Sequence, residues 1–249
     1  MDKKEDNMTI SGFPAAKSLA LLIDPDKAGD ESLDKILSVA GECSVDYIFT
    51  GGSITFSGID DVIGKIRERC NIPVILFPGN LLQLTRQADR ILLLSLISGR
   101  NPELLIGNHV LAAPYLKDIR EKITSVGYIL INCGGKTSVE YMSQTESIPA
   151  NKTEIVVATA IAGEMLGLGM IYLEGGSGAS NPVPVEIIAA VRKNISIPIA
   201  AGGGIRTEDE VRQAYESGAD LVILGNGCEK RPEFLREAAR VRNTIRKDL

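Results

Sequence analysis

Glu174 heads a glycine-rich run, Tyr-Leu-Glu-Gly-Gly-Ser-Gly over residues 172–178, that follows a short apolar segment. Gly175, Gly176, Ser177 and Gly178 offer closely spaced backbone N–H groups, which suit a phosphate. A carboxylate at the mouth of such a cradle repels phosphate. The two belong together if the amides hold an inert phosphate handle while the carboxylate addresses a reacting centre. Tyr172 and Glu174 are two residues apart, so on a strand they share a face. A carboxylate so placed takes a proton from a hydroxyl nucleophile, or stabilises positive charge developing on carbon as a leaving group departs.

Two more glycine-rich segments follow, AGGGIR at 201–206 and GNG at 225–227. One such segment would need no more explanation than a tight turn. Three in succession, each after an apolar run, point to a shared phosphate. A second cluster lies near the start of the chain. Asp24, Asp26 and Lys27 surround Pro25, and Ser53 closes TGGS at 50–53. Asp24 leaves an apolar run directly, and with the Ser53 hydroxyl, waters and ligand phosphate oxygens it would form a Mg²⁺ site. Asp26 is expected to close an Asx-type turn or cap a helix. Lys27 either caps that turn or touches an anion.

The elements that must position these residues are legible as eight apolar runs. They lie at 19–23, 46–50, 73–77, 90–95, 127–131, 170–174, 197–201 and 220–224, apolar nearly throughout as in strands buried on both faces. Helical spacing lies between many of them, at 31–42, 59–70, 184–194 and 207–219. Thr207 with Glu210 forms a capping box for the last of these, and Gly218 stops it. The pattern predicts a single (β/α)₈ barrel domain, a TIM barrel spanning 1–249, with an open doubly wound sheet as the structural alternative. The chemistry-bearing residues then all fall at the C-terminal ends of strands, where this fold carries its sites. The stretch 132–155 shows no clear periodicity, and GGKTS within it is not a P-loop, because Leu130 stands where the first glycine is required.

One connection is short. Residues 78–89 leave no room for two loops and a helix, so the third helix is predicted missing or much reduced. Leu81, Leu82 and Leu84 would line the resulting gap, with the segment near Tyr115, and a long apolar chain would fit there.

The chain has 249 residues, 44% hydrophobic and 24% charged, with a formal net charge of −5. No basic stripe appears, which argues against nucleic acid. The cysteines Cys43, Cys70, Cys133 and Cys228 are scattered and His109 is the sole histidine, so neither a zinc cluster nor a disulfide framework is expected, and a reducing cytoplasm is the natural setting. The first ten residues are charged and do not read as a signal peptide. No apolar run is long enough to span a bilayer. His109 is expected on a helix surface or at an interface.

LLIDPDK, TGGS, YLEGGSGASNPVP, AGGGIR and LGNG, in this order, resemble the geranylgeranylglyceryl phosphate synthase family, whose bacterial relatives include heptaprenylglyceryl phosphate synthases. The resemblance covers essentially the whole chain, including LISGRNPELLIGNHVLAAP. It is closest to the family's second branch, since Leu22 stands where the other branch carries a lysine. The resemblance implies Mg²⁺-dependent ether formation between the 3-hydroxyl of sn-glycerol 1-phosphate and C1 of a polyprenyl diphosphate, geranylgeranyl diphosphate being the expected donor. Asp24 and Ser53 would bind Mg²⁺. Tyr172, Leu173, Glu174, Gly175, Gly176, Ser177, Gly178, Gly203, Gly204, Gly225 and Asn226 would hold the glycerol phosphate. Glu174, with Tyr172, would be catalytic. A homo-oligomer with transient membrane-surface contact is expected. The competing enzyme is a metal-independent phosphosugar isomerase or lyase on a similar barrel, with Glu174 and Asp24 as its acid and base.

Overall fold

The computed structural model describes Phe13 and residues 17–247; the charged stretch 1–10 lies outside the described residues. In chain order the elements are β1 Ser18–Ile23, α1 Asp30–Glu42, β2 Tyr47–Thr50, α2 Ile59–Arg69, β3 Val74–Leu76, β4 Arg90–Leu96, α3 Asn108–Leu116, β5 Ile123–Asn132 and α4 Ser138–Ser143. They continue with β6 Ile148–Pro149, α5 Thr153–Met165, β7 Met170–Glu174, α6 Val185–Arg192, β8 Ile199–Gly202, α7 Glu208–Glu216, β9 Leu221–Leu224, α8 Asn226–Lys230 and α9 Phe234–Lys247. Neighbours run β4-β3-β2-β1-β9-β8-β7-β5, and β4 closes on β5. All pairings are parallel. The result is the closed (β/α)₈ barrel, with the two-residue β6 appended to the tip of β5.

Alternation along each strand divides the core in two. Ala20, Phe49, Ile75, Leu92, Tyr128, Tyr172, Ala200 and Ile223 fill the lumen. Their neighbours Leu21, Ile48, Leu76, Ile91, Ile129, Leu173, Ala201 and Val222 pack outward under the helices. This is the period-two geometry of a strand buried on both faces. Phe13 meets Tyr47 edge-on with ring centroids 5.1 Å apart, and a run of aromatic contacts continues through Phe49 and Phe77 to Tyr172. Arg242, almost fully buried, pairs with Asp46 and ties α9 to the start of β2.

The connection between β3 and β4 contains only a 3₁₀ turn, Leu81–Gln83. Asp89 makes the shortcut possible by accepting the Val74 N–H at 2.7 Å. The predicted loss of the third helix is therefore present. The lining differs in one residue. A 3₁₀ turn has three residues per turn, so Leu81 and Leu84 share a face and Leu82 does not. Leu82 is 97% exposed.

Two other stretches depart from the sequence reading. β5 begins at Ile123, four residues before the predicted start, because it pairs with β4 from Ile91↔Ile123 to Leu96↔Tyr128. The polar Thr124 and Ser125 mask that start in an otherwise apolar run. The aperiodic region contains α4, capped by a Thr137–Glu140 box, and leads into α5. α5 is apolar on nearly every side, so helical spacing does not reveal it.

Candidate active site

β7 carries Tyr172 and Glu174 into the lumen and its mouth. Register places Glu174 opposite Gly202 of β8 and Leu130 of β5. The carboxylate is only 6% exposed, and its Oε1 accepts the Gly176 N–H at 2.7 Å. Burial pushes its carboxyl above the usual carboxylate range, opposed by hydrogen bonds from the Tyr172 hydroxyl and the Gly176 N–H. Burial and the neighbouring Glu174 charge push the phenols of Tyr172 and Tyr128 well up, so both remain protonated donors. Their rings meet edge-on at 5.3 Å. The site thus holds one desolvated carboxylate supported by neutral hydrogen-bond donors, a sound environment for a general base.

The glycines pack against this carboxylate. Gly203 has φ +78°, and a Cβ there would strike Glu174 Oε1 and the N–H groups of Gly175 and Gly176. Gly176 has φ +97°, and a Cβ there would collide with Thr137. Glycine is required at both positions by conformation and by space. Arg206 holds the loops together. It donates to the carbonyls of Ala179 and Ser180 after β7 and of Gly204 after β8. Neither strand pattern nor spacing flagged Arg206, although it ends the AGGGIR motif.

A polar chain crosses the mouth. Asp24 Oδ2 lies 3.1 Å from Lys27 Nζ. Lys27 donates to Asn226 Oδ1 at 3.5 Å and Glu229 at 3.2 Å, and Asn226 Nδ2 donates to Ser177 Oγ at 3.2 Å. Burial opposes the Lys27 charge, but hydrogen bonds to Asp24 and Glu229 outweigh it and hold the ammonium above its ordinary value. Lys27 is therefore more than a turn cap: it joins the β1 end to the β9 loop.

Two expectations change here. Asp24, not Asp26, caps the 3₁₀ turn Pro25–Lys27, accepting the Asp26 N–H at 3.1 Å. Asp26 instead accepts the N–H groups of Phe56 and Ser57 and pins the loop after β2. Leu173 packs outward beneath the helices, so its side chain faces away from the lumen. Ser53 follows β2, the strand beside β1, and lies at the rim of a cavity.

That cavity has a volume of about 320 Å³ and runs from Gly52 and Ser53 through the gap left by the missing helix. Phe77, Leu81, Leu84, Leu94, Leu104 and Tyr128 are among its walls. Tyr128 touches both the cavity and Tyr172, so the apolar space begins beside the buried carboxylate. Gln83 stabilises the opening, bonding Gly52 on both N–H and C=O and accepting from Gly79. At the outer end Arg86 lies over the Tyr115 ring at 4.7 Å. His109 lines the cavity rather than the helix surface, its Nε2 3.1 Å from Ser95 Oγ, and burial lowers its imidazole below the ordinary value. It was missed because helix periodicity around it is poor: a π-helical turn, Glu103–Gly107, precedes α3 and rotates its faces.

Glycine loops at three consecutive strand ends, gathered around an inward carboxylate, define a phosphate-binding (β/α)₈ barrel. The chain belongs to the PcrB family, whose model matches residues 16–242. It is 45% identical over 226 residues to a geranylgeranylglyceryl phosphate synthase of Spirosoma linguale, covering 90% of this chain and 91% of that one. A protein of the same name from Thermococcus kodakarensis is 39% identical over 212 residues, covering 84% and 83%. Among solved structures, (S)-3-O-geranylgeranylglyceryl phosphate synthase of Thermoplasma acidophilum in complex with sn-glycerol 1-phosphate superposes with a TM-score of 0.85 at 27% identity, covering 91% of this chain and 93% of that one. An N-acetylmannosamine-6-phosphate 2-epimerase of Clostridium perfringens, 13% identical with a TM-score of 0.55, shares the fold alone.

Proposed function

We propose that this chain is a prenyltransferase that joins the 3-hydroxyl of sn-glycerol 1-phosphate to C1 of a polyprenyl diphosphate through an ether bond. The observation that carries this reading is the apolar cavity opening beside a buried carboxylate and a glycine amide cradle. A phosphorylated alcohol and a long apolar donor each find a matching surface, and the two surfaces meet at Glu174. The name and ligand of the Thermoplasma relative agree with it.

In the reaction, the amides of the loops after β7, β8 and β9 hold the phosphate handle. Glu174 takes the proton from the 3-hydroxyl as its oxygen bonds to C1, and the bond from C1 to the diphosphate breaks. The same carboxylate stabilises positive charge on C1 as diphosphate leaves. Tyr172 orients it, and the walls of the cavity keep water from the allylic carbon.

Asp24 and Ser53 fit a hard cation. They supply one carboxylate and one hydroxyl at adjacent strand ends, a set suited to Mg²⁺ that draws its remaining ligands from water and diphosphate. Such an ion supplies charge neutralisation to the leaving diphosphate. Lys27 would then be free to reach the same oxygens.

Incubating the protein with radiolabelled sn-glycerol 1-phosphate and prenyl diphosphates of graded length tests the reading. A lipid-soluble labelled product is expected. No product with any donor, together with interconversion of phosphosugars, would favour the isomerase. Leu84→Trp is expected to fill part of the cavity and lower kcat/KM for a geranylgeranyl donor roughly 10–100-fold relative to a geranyl donor, about two or three CH₂ groups' worth of burial. Equal losses for both donors would remove the cavity from the mechanism. Arg206→Ala is expected to raise KM for glycerol phosphate about tenfold with either donor, since charge-assisted bonds between the two loops are lost. Steady-state kinetics at saturating donor reads this out.

A further inference from the structure

Three loops at the catalytic end of the barrel hold large apolar side chains out in water. Phe56 and Ile54, after β2, are 87% and 52% exposed; Leu82, after β3, is 97%; Tyr141 and Met142, after β5, are 84% and 51%. The same loops form the mouth of the apolar cavity, which Ser53, Leu81 and Met142 line. Presentation is fixed. The Phe56 N–H donates to Asp26 at 2.9 Å, and the Leu82 N–H donates to Asn80 Oδ1 at 2.9 Å.

We propose that this rim docks the barrel onto a lipid bilayer, with Phe56 and Leu82 entering the acyl region and the cavity mouth opening onto it. The proposal rests on the prenyltransferase reading, because a long prenyl donor partitions into lipid and must reach the cavity from there. Apolar and aromatic side chains at the ends of loops, like the aromatic belts of membrane proteins, favour the interface between headgroups and acyl chains. A second copy of this chain fits less well. The rim consists of separate side chains on three loops around an opening, and a protein seated there would stopper both the cavity and the glycine cradle. A fluid surface conforms to such a rim and delivers the donor. The regular stripe Ile106, Val110 and Leu111, by contrast, lies on and just before α3, on the barrel's flank. The net charge of −5 means that attraction to anionic lipid does not drive the contact.

The test uses the full chain and extruded phosphatidylcholine vesicles without substrate. The wild-type protein should sediment with these neutral vesicles equally at low and high salt. The double variant Phe56→Ser, Leu82→Ser should lose vesicle association about tenfold or more while its circular dichroism and sedimentation coefficient in buffer stay unchanged. Its activity should be normal with dissolved geranyl diphosphate and about tenfold lower with geranylgeranyl diphosphate carried in vesicles. Failure of the wild type to sediment with vesicles, or equal sedimentation of the variant, overturns the proposal. So does a changed sedimentation coefficient of the variant in buffer, which would assign the rim to a second copy. Vesicle binding without product from either donor would leave the docking intact and defeat the prenyltransferase reading.

Discussion

Replacing Glu174 by Gln is expected to lower kcat by about 10²–10⁴, the range for loss of a general base, while glycerol phosphate still binds. The substitution keeps the shape of the side chain and a carbonyl oxygen that can accept the Gly176 N–H. It removes the charge and the proton-accepting capacity. The amide cradle is built from backbone, so its affinity for phosphate should persist and should rise slightly once the repelling charge is gone. Isothermal titration with sn-glycerol 1-phosphate and single-turnover kinetics separate the two. Turnover near the wild-type value would remove Glu174 from the chemistry.

The pH profile carries a sign. Burial raises the Glu174 carboxyl above the ordinary glutamate value, so the neutral acid persists to higher pH than in water. A general base works only when deprotonated. Turnover should therefore fall, as pH drops, through an acidic limb placed above the usual carboxylate range. Glu174→Gln should abolish that limb along with most of the rate. A wild-type profile flat down to the ordinary glutamate range would contradict the desolvated base.

Strand-end chemistry was legible because it is local. Glu174, Tyr172 and the glycines are fixed by a period of two along β7 and by backbone space around Gly203. The short 78–89 connection gave away the missing helix by length alone. What stayed hidden was non-local. Arg206 acts by reaching three carbonyls on two loops, and nothing in its neighbours announces that. The exchange of roles between Asp24 and Asp26 depends on Phe56 and Ser57, about thirty residues away in the chain. Leu82 was placed in the cavity because three leucines close together suggest one apolar face, whereas a 3₁₀ turn distributes them over different sides. α5 escaped because a helix that is apolar all round carries no periodic signal.

Asp24→Asn is expected to raise the Mg²⁺ concentration needed for half-maximal rate by at least about 10–100-fold, the range seen when groups that support a bound metal are removed. Asparagine retains an oxygen for the Asp26 N–H, so the 3₁₀ turn at Pro25–Lys27 should persist and the effect reports charge rather than collapse. A hard cation bound by few protein ligands depends strongly on the one that is charged. Ser53→Ala removes a neutral oxygen that water can replace, and should cost less. Lys27 sharpens the distinction. In the wild type its ammonium lies 3.1 Å from Asp24 and 3.2 Å from Glu229. In the Asp24→Asn variant Lys27 loses one anionic partner and should turn toward the diphosphate, so residual activity without metal should rise relative to the wild type even as the metal-stimulated rate falls. Exhaustive chelation followed by rate measurement over a Mg²⁺ series checks both halves. Full wild-type activity after chelation would defeat the metal assignment. An unchanged Mg²⁺ response in Asp24→Asn would move the ion to other ligands, even if the metal requirement itself held.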